Sequence, residues 1–195
     1  LQVLEQSDYY TDLMKRFGPQ DTCYAVLYEA KDADYISKLN PDFLFQKLEE
    51  KYDDHPSLPQ FLDVAKADDI VTFPGLEYCM QLILGLQTTR FTFMCAGSSP
   101  NFAIPFQQRL GSEAASRLSM TTSGSMTRSG QALRFVGNFP ASFQSMTVNE
   151  SGVNTLSTPN TGILLNRNVF SSAAINHTAG GTAFTLASLI TFAGL

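Results

Sequence analysis

Cysteine is scarce and poorly placed for chemistry: Cys23, Cys79 and Cys95 form no CxxC pair and have no histidine in ligand register. An odd number at such spacing gives neither a disulfide framework nor a zinc site, and all three read as small buried hydrophobes. Histidine is scarcer, with only His55 and His177. No apolar run is long enough to span a membrane, and the first stretch, LQVLEQSDYYTDL, lacks the basic start and apolar core of a secretion signal. The glycine-containing segments AGSSPNF and AGGTAF lack the lysine and the strand-to-helix setting of a phosphate loop, so they read as turns.

Charge is unevenly spread. Every lysine lies at or before Lys66, and beyond Asp69 the only acids are Glu77, Glu113 and Glu150. Residues 1–69 hold fifteen acids against seven bases, a net of -8; residues 70–195 hold three acids against six arginines, a net of +3, which together give the chain's -5. Such a break predicts two modules, an acidic helical docking module over 1–67 and a second domain over 68–195. The acidic balance argues against a nucleic-acid groove, which needs clustered positive charge.

In the first part, Ser7 caps a helix carrying Tyr9, Tyr10, Leu13, Met14 and Phe17 on one face, stopped at Gly18-Pro19. Asn40 and Pro41 open a second helix lined by Leu44, Phe45, Leu48 and Tyr52. HPSLPQFLDVAKA reads as another short helix. DTCYAVLYEAKDADYISKL fits helix or strand, and the spacing of Tyr24, Leu27 and Tyr28 favours helix. A further helix, PGLEYCMQLILG, carries Leu76, Cys79, Met80 and Ile83 and ends at Gly85.

After that helix the period changes to two. TRFTFMCAG, QALRFVGNF, QSMTVNES, TGILLNRNVF and a final segment with Phe184, Leu186, Ile190 and Phe192 read as short strands separated by Ser, Thr, Gly, Asn and Pro clusters. The expected class is α+β: a short-helix module, then an antiparallel β-sandwich with one helix at its start. Gly180-Gly181 is expected to make the tight turn of a closing hairpin, with Ile175 ending one strand and Phe184 and Leu186 beginning the next.

Groups able to do catalysis are few. A hydrolase reading would use His177 with Ser171, Ser172 or Glu150, but the second domain has no Asp for a triad, and the expectation is a non-enzyme without cofactor or metal. Asn149-Glu150-Ser151 and Asn176-His177-Thr178 match the glycan-acceptor triplet, which chance also produces. Two polar pairings read as structural. Glu113 and Arg117 have the spacing that supports a helical turn, and Glu150 is placed to meet Arg167 or Arg134 across a sheet. The Ser/Thr/Asn-rich loops near Phe102, Phe106 and Phe143 leave room for a receptor- or glycan-binding module.

From Asp69 onward an ordered series of blocks is present: DIVTFPGLEYCMQLILG, RFTFMCAGSSP, RLGSEAASR, QALRFVGNFPASFQSMTVNESGV and GILLNRNVFSSAAINHTAGGTAFTLASLITF. The series resembles a divergent family of small structural proteins of tailed bacteriophages, found in tails, tail fibres or as minor virion proteins. The first block is similar to that family's N-x-V-T-x-x-G-L opening. Leu110, Glu113 and Arg117 match an L-x-x-E-x-x-R phrase with one extra residue, and Phe139, Ala141, Glu150 and Gly152 match F-x-A followed by I-x-E-x-G. Two departures stand out: MCAGSS in place of the commoner GTG, and Gly181 where the family usually has Asp. The resemblance implies a virion component whose partners are copies of itself, neighbouring virion proteins and, in a fibre, a host surface receptor.

Overall fold

The computed structural model describes residues 19–49, 61–170 and 174–192. The expected helix from Ser7, together with Tyr52, His55, Ser171 and Ser172, lies outside the described residues. Antiparallel strands dominate. In chain order they are β1 (Gln20–Glu29), β2 (Asp63–Val71), β3 (Phe93–Gly97), β4 (Leu118–Ser119), β5 (Gly124–Ser129), β6 (Ala132–Phe139), β7 (Met146–Val148), β8 (Glu150–Asn154), β9 (Leu164–Val169), β10 (Ile175–His177) and β11 (Thr182–Thr191). Among the described residues four α-helices accompany them: α1 (Ala33–Ser37), α2 (Pro41–Glu49), α3 (Phe73–Ile83) and α4 (Met120–Ser123).

Nine strands form one sheet in the order β4-β3-β8-β9-β2-β1-β11-β6-β5, and β7 pairs with β10 in a separate ribbon. The sheet rolls into a near-barrel. Its two edge strands are joined through α4 alone, and β6 approaches β3 and β4 so closely that a Cβ on Gly137 would lie 2.8 Å from Met94 Cβ and 3.1 Å from Leu118 Cδ2. The α+β class and the antiparallel pairing match the expectation. The two facing sheets do not occur as separate ladders, because β2 and β1 join β9 to β11 and link both halves.

Of the segment from Asp21 to Leu39 whose spacing favoured helix, the first part is instead β1, a central strand, and only its end, Ala33–Ser37, is the helix α1. Cys23, Ala25 and Leu27 enter the main core, while Tyr24, Val26 and Tyr28 pack in a second core under α1 and α2. With both faces buried, the strand loses the alternation that would identify it. Of the helix expected over HPSLPQFLDVAKA, residues 55–60 lie outside the described residues, and the end is corrected: it lies in β2, where buried Ala65 and Ala67 alternate with exposed Val64 and Lys66. The proposed boundary at 67/68 falls inside β2, which pairs with β1 on one side and β9 on the other.

α2 starts where Asn40 Oδ1 accepts from Asp42 N at 2.8 Å, and it buries Leu44, Phe45 and Leu48. α3 starts at Thr72, whose hydroxyl accepts from Gly75 N at 3.1 Å and donates to Leu164 O at 2.5 Å. Gly85, at φ 71°, follows the helix end. Main-core residues from β3, β6, β8, β9 and β11 fill the barrel, with α3 packed against β9.

Candidate functional site

β8 and β9 place Glu150 opposite Val169 and Gly152 opposite Arg167, so the acid and the arginine are diagonal neighbours on one face. Room for the carboxylate comes from glycine: a Cβ at Gly97 would lie 2.5 Å from Glu150 Oε1. Glu150 is fully buried, and a charge there must be met by donors. Its Oε1 accepts from Ser112 N at 2.7 Å and Ser99 N at 3.2 Å. Its Oε2 accepts from Arg167 Nε at 2.7 Å and Gly111 N at 2.9 Å. Three of the four donors belong to the two ends of the 98–112 loop.

Arg167 holds the middle of that loop. Its Nη1 donates to Gln107 Oε1 at 2.8 Å and to Phe102 O at 3.0 Å. Gln107 Oε1 also accepts from Ile104 N at 2.9 Å, and Pro105 O accepts from Phe73 N at 2.8 Å, which ties the loop to the first turn of α3. The polar groups thus point inward, while the side chains of Phe102, Ile104 and Phe106 are 83%, 43% and 52% exposed. Such a clamp fixes a loop conformation in which apolar side chains face solvent.

A second buried pair anchors the neighbouring loop. Arg117 Nη2 donates to Glu113 Oε2 at 3.0 Å and its Nε to Glu113 Oε1. Arg117 Nη1 donates to Leu156 O at 2.6 Å and Thr161 O at 2.9 Å, while Asn160 N donates to Glu113 Oε2 at 2.8 Å. The helical turn expected for this pair is corrected: Glu113 bridges Gly97 in extended backbone, and the ion pair fastens residues 156–161 instead. Arg134 is not brought to Glu150. It pairs with Asp42, and its guanidinium lies 5.7 Å from the Phe45 ring, which holds α2 on the outside of β6.

His177 is 3% exposed, and both ring nitrogens have structural partners. Nε2 lies 3.1 Å from Phe143 O, which can only accept, so Nε2 carries the hydrogen and Nδ1 accepts from Thr182 Oγ1 at 3.1 Å in the neutral ring. Neither Glu150 oxygen bonds to it. Phe143, one of the three aromatics considered for a sugar platform, is 9% exposed and packs edge-on against Phe139 and Phe184. Phe102 and Phe106 remain at the surface. An open polar groove beside the loop's base is lined by Ser98, Ser112, Gln144, Thr147 and Asn149.

The closing hairpin is also corrected. β10 pairs with β7, and β11 with β1 and β6, so the turn at Gly180-Gly181 connects two different ladders. Only Gly180 is left-handed, at φ 83°. Gly180 N donates to Ala141 O at 2.7 Å and Gly181 O accepts from Ala30 N at 3.1 Å.

Sequence reasoning missed a polar network inside the barrel. Asn166 Nδ2 donates to Asp21 Oδ2 at 2.6 Å and to Ser188 Oγ at 3.0 Å, Ser188 Oγ donates to Asp21 Oδ1 at 2.9 Å, and Asn166 Oδ1 accepts from Val153 N at 2.9 Å. The available signal was Asn166-Arg167-Asn168, three polar residues inside a strand whose six residues are all buried. Burial pushes the Cys95 thiol well above its usual range and raises Cys79 too, which disfavours reactive thiolates. Among the described residues no three His, Cys, Asp or Glu side chains converge as metal ligands. No protein-family model, curated protein or solved structure matches the chain.

Proposed function

We propose that this chain is a structural component of a tailed-phage virion, in a tail, fibre, collar or head-decorating position, and that it acts by protein–protein assembly without catalysis, cofactor or metal. One observation carries the reading: a buried carboxylate with four donors and its arginine hold a loop whose apolar side chains face outward. Ordering such a loop against solvent has a free-energy cost, and a partner surface that buries Phe102, Ile104 and Phe106 offsets it. The ordered series of blocks from Asp69 supports the virion setting. In this proposal opposite halves of the rolled sheet serve as the layers of a sandwich, and the acidic residues before 68 meet a basic neighbour.

The test is a density map of the intact particle into which this chain is fitted. The expected result is repeated copies at symmetric positions with the 98–112 loop in an interface; purified particles without the chain would refute the proposal. A receptor-binding fibre module is the second reading, favoured by the polar groove beside the aromatic loop. Its expected signal is one sugar class on a glycan array, lost in Phe102→Ser, and a blank array removes it.

A further inference from the structure

α3 is apolar almost throughout, yet Gly75 is its only buried residue. Gly75 is the point of closest approach to β9, since a Cβ there would lie 2.6 Å from both Leu165 Cα and Leu165 O. Leu76, Tyr78, Cys79 and Leu82 are partly covered against the main core. Beyond them Met80, Ile83, Leu84 and Leu86 are 59%, 84%, 72% and 68% exposed. At the other end of the helix, the Phe106 ring lies 5.0 Å from that of Phe73, so the clamped loop adjoins the first turn. From Phe73 to Ile83 the helix rise covers about 15 Å.

Extent and charge identify what this face meets. With roughly 200 Å² for a fully exposed large apolar residue, the exposed residues of α3, Leu84, Leu86 and the loop present on the order of 900 Å². The largest apolar patch on a typical monomer is about 300–600 Å², whereas a stable interface takes about 800 Å² from each partner. Between residues 70 and 112 the only charged residues are Glu77, Arg90 and Arg109, in a chain whose net charge is -5. Two acidic copies therefore meet little like-charge repulsion at this face. We infer that α3 and the 98–112 loop form the self-association surface, packing against the same face of a second copy about a two-fold axis. This rests on the assembly reading and names its partner.

Sedimentation velocity on the full chain, from low to high micromolar concentration, tests the inference with Ile83→Glu and Phe102→Ser as variants. Both residues are more than four-fifths exposed, at 84% and 83%, so thermal unfolding should match wild type. The wild type is expected to pass from monomer to dimer, and each variant to shift the midpoint upward by about tenfold or more. Carbene footprinting of Met80 and Ile83 should show protection that grows with concentration. A wild type that stays monomeric, variants with an unshifted midpoint, or protection already complete in the monomer, where the chain covers its own helix, would each overturn it. A monomeric wild type found in particles overturns this surface alone; a dimer absent from particles overturns the virion reading alone.

Discussion

Glu150→Gln keeps the size and shape of the side chain and removes one acceptor and the charge. Each Glu150 oxygen has two donors, Ser99 N and Ser112 N on one, Gly111 N and Arg167 Nε on the other. Whichever way the amide turns, its NH2 group faces two of them. An unpaired buried donor costs about 1–3 kcal/mol, and breaking a buried ion pair about 3–5 kcal/mol. The terms overlap at Arg167, so the expected loss is about 4 kcal/mol, a large fraction of the roughly 5–15 kcal/mol that keeps a domain folded. Urea unfolding followed by circular dichroism measures it, and hydrogen exchange should show the Ser99, Gly111 and Ser112 amides losing protection together. Adding Arg167→Met should restore part of the loss, because the orphaned guanidinium goes with it. A loss below about 1 kcal/mol, the scale of an exposed pair, would refute the clamp.

Gly180→Ala is expected to cost about 1 kcal/mol from its left-handed φ of 83° alone, with nothing within 4 Å of the new Cβ, while Gly181→Ala should be near neutral because its nearest neighbour is 3.8 Å away; melting temperatures of the pair check this. Asn168→Leu should be neutral or stabilising, since both ends of this buried amide lack a hydrogen-bond partner among the described residues, and a clear fall in the urea midpoint would contradict it. Burial raises the Tyr28 phenol from 10.0 to about 12, opposed by its hydrogen bond to Thr185. The folded value lies above the unfolded one, so this stability is fully present below pH 10.0 and falls as pH rises to about 12. The loss is about 3 kcal/mol. In Tyr28→Phe the alkaline fall should shrink by that amount, and an unchanged slope would contradict it.

Local signals were legible where one face of an element meets water. Asn40-Pro41 and the stripe Leu44, Phe45 and Leu48 identified α2, and the change of period identified β3, β6, β9 and β11, whereas β5 lies in a Ser/Thr/Gly cluster that reads as a loop. β1 was not legible, because helices cover its outer face and the apolar run becomes continuous. β2 was masked by alanines too small to mark its alternation. Those two strands lie between β9 and β11, so the continuity of the nine-stranded sheet was not legible either. At the candidate site, the sequence narrowed the partner of Glu150 to Arg167 or Arg134. The choice depended on the β8–β9 register and on Asp42 taking Arg134, both set by long-range contacts.

The pairing of β1 with β11 has a consequence for synthesis. Gln20 lies opposite Thr191 and Glu29 opposite Thr182, so two central strands come from opposite ends of the described chain. Contacts of such separation slow folding. At about 5–20 residues per second, a ribosome takes roughly ten to thirty seconds between making the two strands. During that interval β1 can pair with β2 but has an open edge and apolar side chains on both faces, the condition in which nascent chains aggregate. High-level expression should therefore fail first through incomplete chains, and slower initiation or a holding chaperone should raise the soluble yield more than any substitution in the finished barrel.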